Sequence, residues 1–224
     1  MLLRLVLQTA VFLVLQGALL FGGAGTMGWR AGWGLLGILG SGSLVVGLWL
    51  RRRDPALLRE RMTLPVHADQ ARRDKWLLLG IGLLWFAWLY AMGADAAARG
   101  FGGRWPLRVL GAALTIAAYA LVAWTFAANS FASPAVRLQR DRGHRVIDTG
   151  PYAVLRHPMY AGALLLFLGI PLLLGSPLGL LFVPVFVVLL AIRTIWEEAA
   201  LRAGLPGYAA YAARVRHRFV PGLW

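Results

Sequence analysis

Apolar residues in this chain gather into six runs, at positions 5–21, 33–50, 76–92, 107–128, 159–174 and 178–192, separated by shorter polar breaks. A helix needs roughly 20 apolar residues to cross the hydrocarbon core of a bilayer. The fourth run exceeds that length, the first three approach it, and the last two fall short. Gly175, Ser176 and Pro177 lie between the last two, which predicts a tight helical hairpin whose tip just reaches the far face. The expected fold is therefore an all-α integral membrane protein with about five or six transmembrane helices, the last two as a hairpin. A cleavable signal peptide is the competing reading of the first run. Its length and the weak cleavage match at Phe21-Gly22-Gly23-Ala24 favour an uncleaved helix.

Between the runs, polar residues follow helical spacing in two places. Leu57, Leu58 and Met62 recur among Arg59, Glu60 and Arg61, predicting a short interfacial helix within 51–75, broken at Pro65. After Pro206, Tyr208, Tyr211, Val215 and Phe219 mark one face of a second amphipathic helix carrying Arg214, Arg216, His217 and Arg218. Outside the six runs no stretch is long enough for a separate soluble domain. The expected organisation is an N-terminal set of transmembrane helices over 1–128, including the interfacial segment, and a C-terminal core over 129–224.

Composition agrees: 59% of residues are hydrophobic and the mean hydropathy is +0.67, outside the range of water-soluble domains. Charge sets orientation. If all six runs cross, 19 of the 23 Lys and Arg residues fall on one side, leaving Arg30, Arg99, Arg104 and Arg108 opposite. Cations collect on cytoplasmic loops, so both termini are expected in the cytoplasm. A net charge of +14 also suits nucleic acid, but juxtamembrane arginines that contact anionic membrane lipids account for it, and no nucleic-acid partner is expected. The chain has no Cys, which removes disulfides, thiolate catalysis and cysteine-ligated metals. His67, His144, His157 and His217 lack metal-ligand spacing, and no phosphate-binding glycine loop is present.

The polar chemistry concentrates at one membrane face. Arg156 and His157 precede Pro158, Met159 and Tyr160 at the mouth of the fifth run. Proline suits a first helical turn and leaves His157 as the cap, so the turn's N–H groups and Arg156 are expected to form an anion site. The loop over 129–149, with Asn129, Ser130, Arg137, Arg140, Asp141, Arg142, His144 and Asp148, leads into it as a connector or as the wall of a cofactor site. At the end of the sixth run stand Arg193, Glu197, Glu198 and Arg202. Adjacent helical residues point about 100° apart, so the two glutamates cannot face one partner. Arg193 with Glu197, and Glu198 with Arg202, have the spacing of ordinary ion pairs.

Taken in order, Asn129-Ser130-Phe131, Gly150-Pro151-Tyr152, Arg156-His157-Pro158-Met159-Tyr160-x-Gly162, and Arg193-x-x-x-Glu197-Glu198 before Gly207-Tyr208-x-x-Tyr211 resemble the isoprenylcysteine carboxyl methyltransferase family. Related phospholipid N-methyltransferases share the Arg-His-Pro and Glu-Glu elements. The resemblance is strong from about residue 125 to 224, and the Arg53 to Arg61 segment also looks like prokaryotic members, which implies a prokaryotic inner membrane. It implies that S-adenosylmethionine binds among the C-terminal helices and the connecting loop, lined by His157 and Tyr160 with Arg156 nearby and by Glu197 and Glu198 on the opposite wall; Tyr152 and Asn129 are further cofactor-binding candidates. The candidate catalytic residues are Arg193, to orient an acceptor carboxylate, and Glu197, to fix Arg193. A carboxylate is already ionised, so its methylation reduces to positioning and desolvation. A phospholipid amine acceptor would instead need Glu197 or Glu198 to take a proton. The other readings are an NADPH-dependent membrane reductase and a scaffold or transporter. The second of these is disfavoured because the run centres hold almost no ionisable residues.

Overall fold

The computed structural model describes residues 1–63, 70–133, 139 and 142–224, and among them every extended element is helical. Pro65, His67, Arg137, Arg140 and Asp141 lie outside the described residues. The long helices are α1 (Leu2–Ala24), α2 (Arg30–Arg53), α4 (Arg72–Ala98) and α5 (Trp105–Ala128), followed by α6 (Pro158–Leu174), a short α7 (Pro177–Leu181) and α8 (Val183–Gly204). Two short helices remain, α3 (Pro55–Arg61) and α9 (Tyr208–Arg214). Five spans are long and apolar enough to cross a membrane: α1, α2, α4, α5 and the combined stretch Pro177–Gly204, while α6, at 17 residues, is shorter.

The expected hairpin is present. Gly175 takes the left-handed conformation (φ 71°) that ends α6, and the Ser176 side chain accepts from Gly179 N–H to cap α7. Asp95 of α4 ties down the tip, accepting from Ser176 Oγ at 2.7 Å and from Leu178 N–H at 3.2 Å. The last helix reaches Gly204, beyond the apolar run that ends at Ile192, because its final turns are held by ion pairs and packing.

Two helix pairs pack at glycine crossings. A Cβ at Gly111 of α5 would lie 2.2 Å from Leu173 N, and one at Gly169 of α6 would lie 2.8 Å from Gly111 O. Between α1 and α4, a Cβ at Gly23 would meet Tyr90 O at 2.1 Å and one at Gly93 would meet Leu20 O at 2.2 Å. Small residues let backbones approach where lipid offers no hydrophobic drive to associate. Around these crossings Trp88, Phe167 and Phe186 form the aromatic centre of the core.

The interfacial helix α3 forms as its spacing predicts, with Asp54 Oδ1 accepting from Leu57 N–H at 2.9 Å. Its apolar face is docked, since Leu57, Leu58 and Met62 are buried against α1, α2 and α5 residues. The tail departs from expectation. α9 ends at Arg214, and the chain beyond is extended, with Leu155 and His217 forming a parallel bridge. Tyr208, Tyr211, Val215 and Phe219 are all buried as the pattern implied, but the last two belong to a strap and not to a helix.

Candidate functional site

At the end of the bundle formed by the N-termini of α4 and α6 and the C-termini of α5 and α8, polar side chains converge. A 3-10 turn, Gly150–Ala153, starts the approach, with Gly150 at φ 59° packed where a Cβ would lie 3.0 Å from Ala128 Cβ. The chain from Leu155 to His157 then runs beside the C-terminal strap. Arg156 N–H donates to His217 O at 2.9 Å and His157 N–H to Arg218 O at 2.8 Å.

These bonds bear on the arginine and the cap of the expected anion site. His157 is the N-cap of α6 by position but makes no side-chain cap. The Arg156 and His157 N–H groups are taken by the strap, and two of the three guanidinium nitrogens of Arg156 are bonded within the fold. Its Nη1 donates to Val215 O at 2.7 Å and Arg216 O at 3.0 Å, and its Nε to Glu198 Oε1 at 2.6 Å. Through Nε and Nη1 the guanidinium holds the strap to α8, while Arg156 still lines the cavity described below.

Glu198 is the hub of this cluster and is 4% exposed. Besides Arg156 it meets His157 Nε2 at 3.3 Å and Arg218 Nη2 at 3.3 Å, with the expected partner Arg202 at 4.0 Å. A carboxylate only accepts, so the His157–Glu198 bond requires the proton on Nε2. Glu197 takes a different direction. Its Oε2 accepts from Tyr160 Oη at 2.6 Å and lies 3.7 Å from His157 Nδ1, while the Tyr160 and His157 rings stack at 5.4 Å, 6° from parallel.

The expected Arg193–Glu197 pair is replaced. Arg193 Nε donates to Asp74 Oδ1 at 3.0 Å, with both side chains buried, and Gln70 Nε2 donates to Asp74 Oδ2 at 2.5 Å. The Arg193 guanidinium lies 5.8 Å from the Tyr160 ring centroid. An ion pair across α4 and α8 compensates two buried charges more completely than a surface pair along one helix.

Above this cluster lies a cavity of about 860 Å³ counted to its open mouth. Of the predicted residues, Asn129, Tyr152, Arg156, His157, Tyr160 and Glu197 line it, whereas Glu198 and Arg193 stand behind its wall. Asn129 Nδ2 donates to Tyr152 Oη at 2.8 Å, and burial pushes the Tyr152 phenol up to about 12, so it stays neutral. The described part of the 129–149 loop is wall: the His144 ring packs against Phe131 at 4.8 Å, tilted by 31°, and Arg142 Nη2 donates to Ser130 O at 2.8 Å. From α3, Arg61 Nη1 donates to Ala132 O at 2.9 Å and its guanidinium covers the Phe126 ring at 4.4 Å. Burial lowers Arg61 to about 10, which leaves it charged at neutral pH.

Asp74, Arg61, Arg218 and Tyr208 are contributors that sequence spacing did not mark as site residues. A lone acid in the first turn of an apolar helix was the one available signal for Asp74, and its partner is 119 positions away.

The phospholipid methyltransferase family model matches residues 107–205, from α5 to the end of α8, which is less than half of the chain. That family belongs to the same broad family as the isoprenylcysteine carboxyl methyltransferases, and the match points to a membrane methyltransferase without distinguishing the acceptor. No curated protein and no solved structure matches the chain.

Proposed function

We propose that the chain is an S-adenosylmethionine-dependent membrane methyltransferase acting on a lipophilic acceptor, with the cavity beneath α9 as the methyl-donor site. The observation that carries this reading is Glu197 on the cavity wall, held by Tyr160 and flanked by the His157 ring, where the helices end. The residues suit the donor: a carboxylate for its amino group or ribose hydroxyls, and aromatic faces with a carboxylate for a sulfonium. The buried Tyr208 hydroxyl, which has no partner among the described residues, also fits a polar ligand here. S-adenosylmethionine supplies the methyl group already activated as a sulfonium.

The chain's own groups then have distinct tasks. Glu198 positions Arg156 and His157 from behind the wall. Glu197 faces the cavity, where it can accept a proton from a lipid amine. The acceptor's tail stays among the helices while the donor arrives from the cytoplasm. The placement of Glu197 on the cavity wall favours a phospholipid amine over the carboxylate that the motif order suggested first, and the family match accommodates either acceptor. The carboxylate reading keeps one support: Arg193 lies directly behind Tyr160, within reach of the same region. In this reading the core over 129–224 is completed by the 51–75 segment through Arg61 and by the following Asp74 contact.

Titration of detergent-solubilised protein with S-adenosylmethionine and with NADPH tests the class. Binding of the methyl donor alone is expected, and NADPH binding alone would sink the proposal. Labelled methyl donor with phosphatidylethanolamine vesicles or a prenylated cysteine analogue tests the acceptor. Label on the lipid amine is expected, and label confined to the cysteine analogue would restore the carboxylate reading.

A further inference from the structure

Helix α9 places two tyrosines, three residues apart, on the cavity wall, and the protein treats their hydroxyls differently. Tyr208 and Tyr211 are each 4% exposed, with rings 5.7 Å apart. Tyr211 Oη donates to Tyr152 O at 2.9 Å, with Leu155 O a further 3.4 Å contact, and so fastens α9 to the 3-10 turn. The Tyr208 hydroxyl is shielded from solvent and has no hydrogen-bond partner among the described residues. Buried hydroxyls are nearly always paired, because stripping water from one without a replacement is unfavourable. Its position is nevertheless fixed: Gly207, at φ 83°, turns the chain into α9, and Tyr208 N–H donates to Leu205 O at 3.2 Å. A positioned, desolvated hydroxyl on a residue that lines the cavity is a hydrogen bond withheld from the fold.

Charge narrows what it can meet. Burial, then Glu198 and Glu197, push the Tyr208 phenol above its ordinary range, so it remains a neutral hydroxyl at physiological pH. The same two carboxylates disfavour an anion at this spot. We propose that Tyr208 is a ligand-binding residue whose hydroxyl hydrogen-bonds an uncharged or cationic polar group of the methyl donor, in its nucleoside or α-amino part and not at its carboxylate. This rests on the methyl-donor reading of the cavity, and it assigns to Tyr208 a specificity role that neither residue spacing nor the fold requires.

Such a role has an unusual signature, because removing the hydroxyl should help the empty protein and harm the complex. The experiment compares unaltered protein, Tyr208→Phe and Tyr211→Phe, each melted without ligand and titrated calorimetrically with S-adenosylhomocysteine, which carries the same polar groups and transfers no methyl. Tyr208→Phe is expected to melt at or above the unaltered protein and to bind roughly three- to tenfold more weakly, the loss of one neutral hydrogen bond. Tyr211→Phe is expected to melt lower, since it strips the bond that holds α9. Equal affinity in Tyr208→Phe overturns the inference and leaves the methyl-donor reading standing. A lower melting temperature in Tyr208→Phe also overturns it, because the hydroxyl would then serve the fold. Unaltered protein that binds neither S-adenosylhomocysteine nor S-adenosylmethionine removes the reading of the cavity and this inference together.

Discussion

Which of two adjacent glutamates meets the ligand is decided by a rotation of one residue along α8. Glu198 faces inward, where Arg156, His157 and Arg218 surround it, and Glu197 faces the cavity through Tyr160. Both should matter for donor affinity, by different routes. His157→Ala removes the ring that stacks on Tyr160, and Glu198→Gln removes the charge that organises Arg156. Each should weaken S-adenosylmethionine binding roughly ten- to a hundredfold, the range for losing a charge-assisted hydrogen bond. Calorimetry on solubilised variants measures this, and unchanged affinity in both would leave the cluster as packing alone. Arg193 predicts a different split. Arg193→Ala breaks the buried pair with Asp74, which costs about 3–5 kcal/mol, so its melting temperature must be measured beside its activity. Arg193→Lys keeps the charge but not the planar fork. It should lower turnover more than donor affinity if Arg193 orients the acceptor, and equal losses would place Arg193 in the donor site.

At the scale of elements, close helix crossings and the C-terminal strap position the site. Gly111→Val would drive a side chain into the α6 backbone, and overpacking of this kind typically costs about 1–3 kcal/mol or more when the obstacle is main chain. Gly37→Ala adds a methyl where nothing lies within 4 Å and should be neutral or slightly stabilising. Thermal melts of the two variants should move in different directions, and equal tolerance would contradict the tight α5–α6 crossing. Truncation before His217 is a sharper test of the strap. It deprives the Arg156 and His157 N–H groups of their acceptors and Glu198 of Arg218, so donor binding should fall while the helices remain, as circular dichroism would report. The helices and the hairpin break were legible because apolar period and Gly-Ser-Pro chemistry are local signals. The faces of Tyr208, Tyr211, Val215 and Phe219 were legible as buried positions, but alternation in a strap and spacing on a helix share those four residues. The Arg193 and Glu198 partners were not legible, because local spacing offers an i,i+4 pair and tertiary packing supplied Asp74 and Arg156. Six of the eight residues singled out from sequence do line one cavity, since their motifs fall at helix ends that the bundle brings together.

For the molecule as a whole, the candidate site gathers at one end of the bundle, and the cation distribution predicts that this end meets the cytoplasm. Arg4 Nη2 donates to Met62 O at 2.7 Å, so the start of α1 lies at the same end as α3, the Arg193–Asp74 pair and the strap. The opposite end carries the Asp95–Ser176 contact and Arg99. The proposed donor, soluble, charged and made in the cytoplasm, would require the cavity mouth on that side, and the excess of Lys and Arg independently predicts the same orientation. Because the chain has no native Cys, single substitutions give clean reporters. Arg202→Cys, at a side chain 48% exposed beside the site, should be shielded from an impermeant thiol reagent in intact cells and react after permeabilisation. Arg99→Cys, at a side chain 54% exposed on the far turn, should react in intact cells. The reverse pattern would turn the cavity away from its donor, and the methyltransferase assignment would then have to be abandoned along with the orientation.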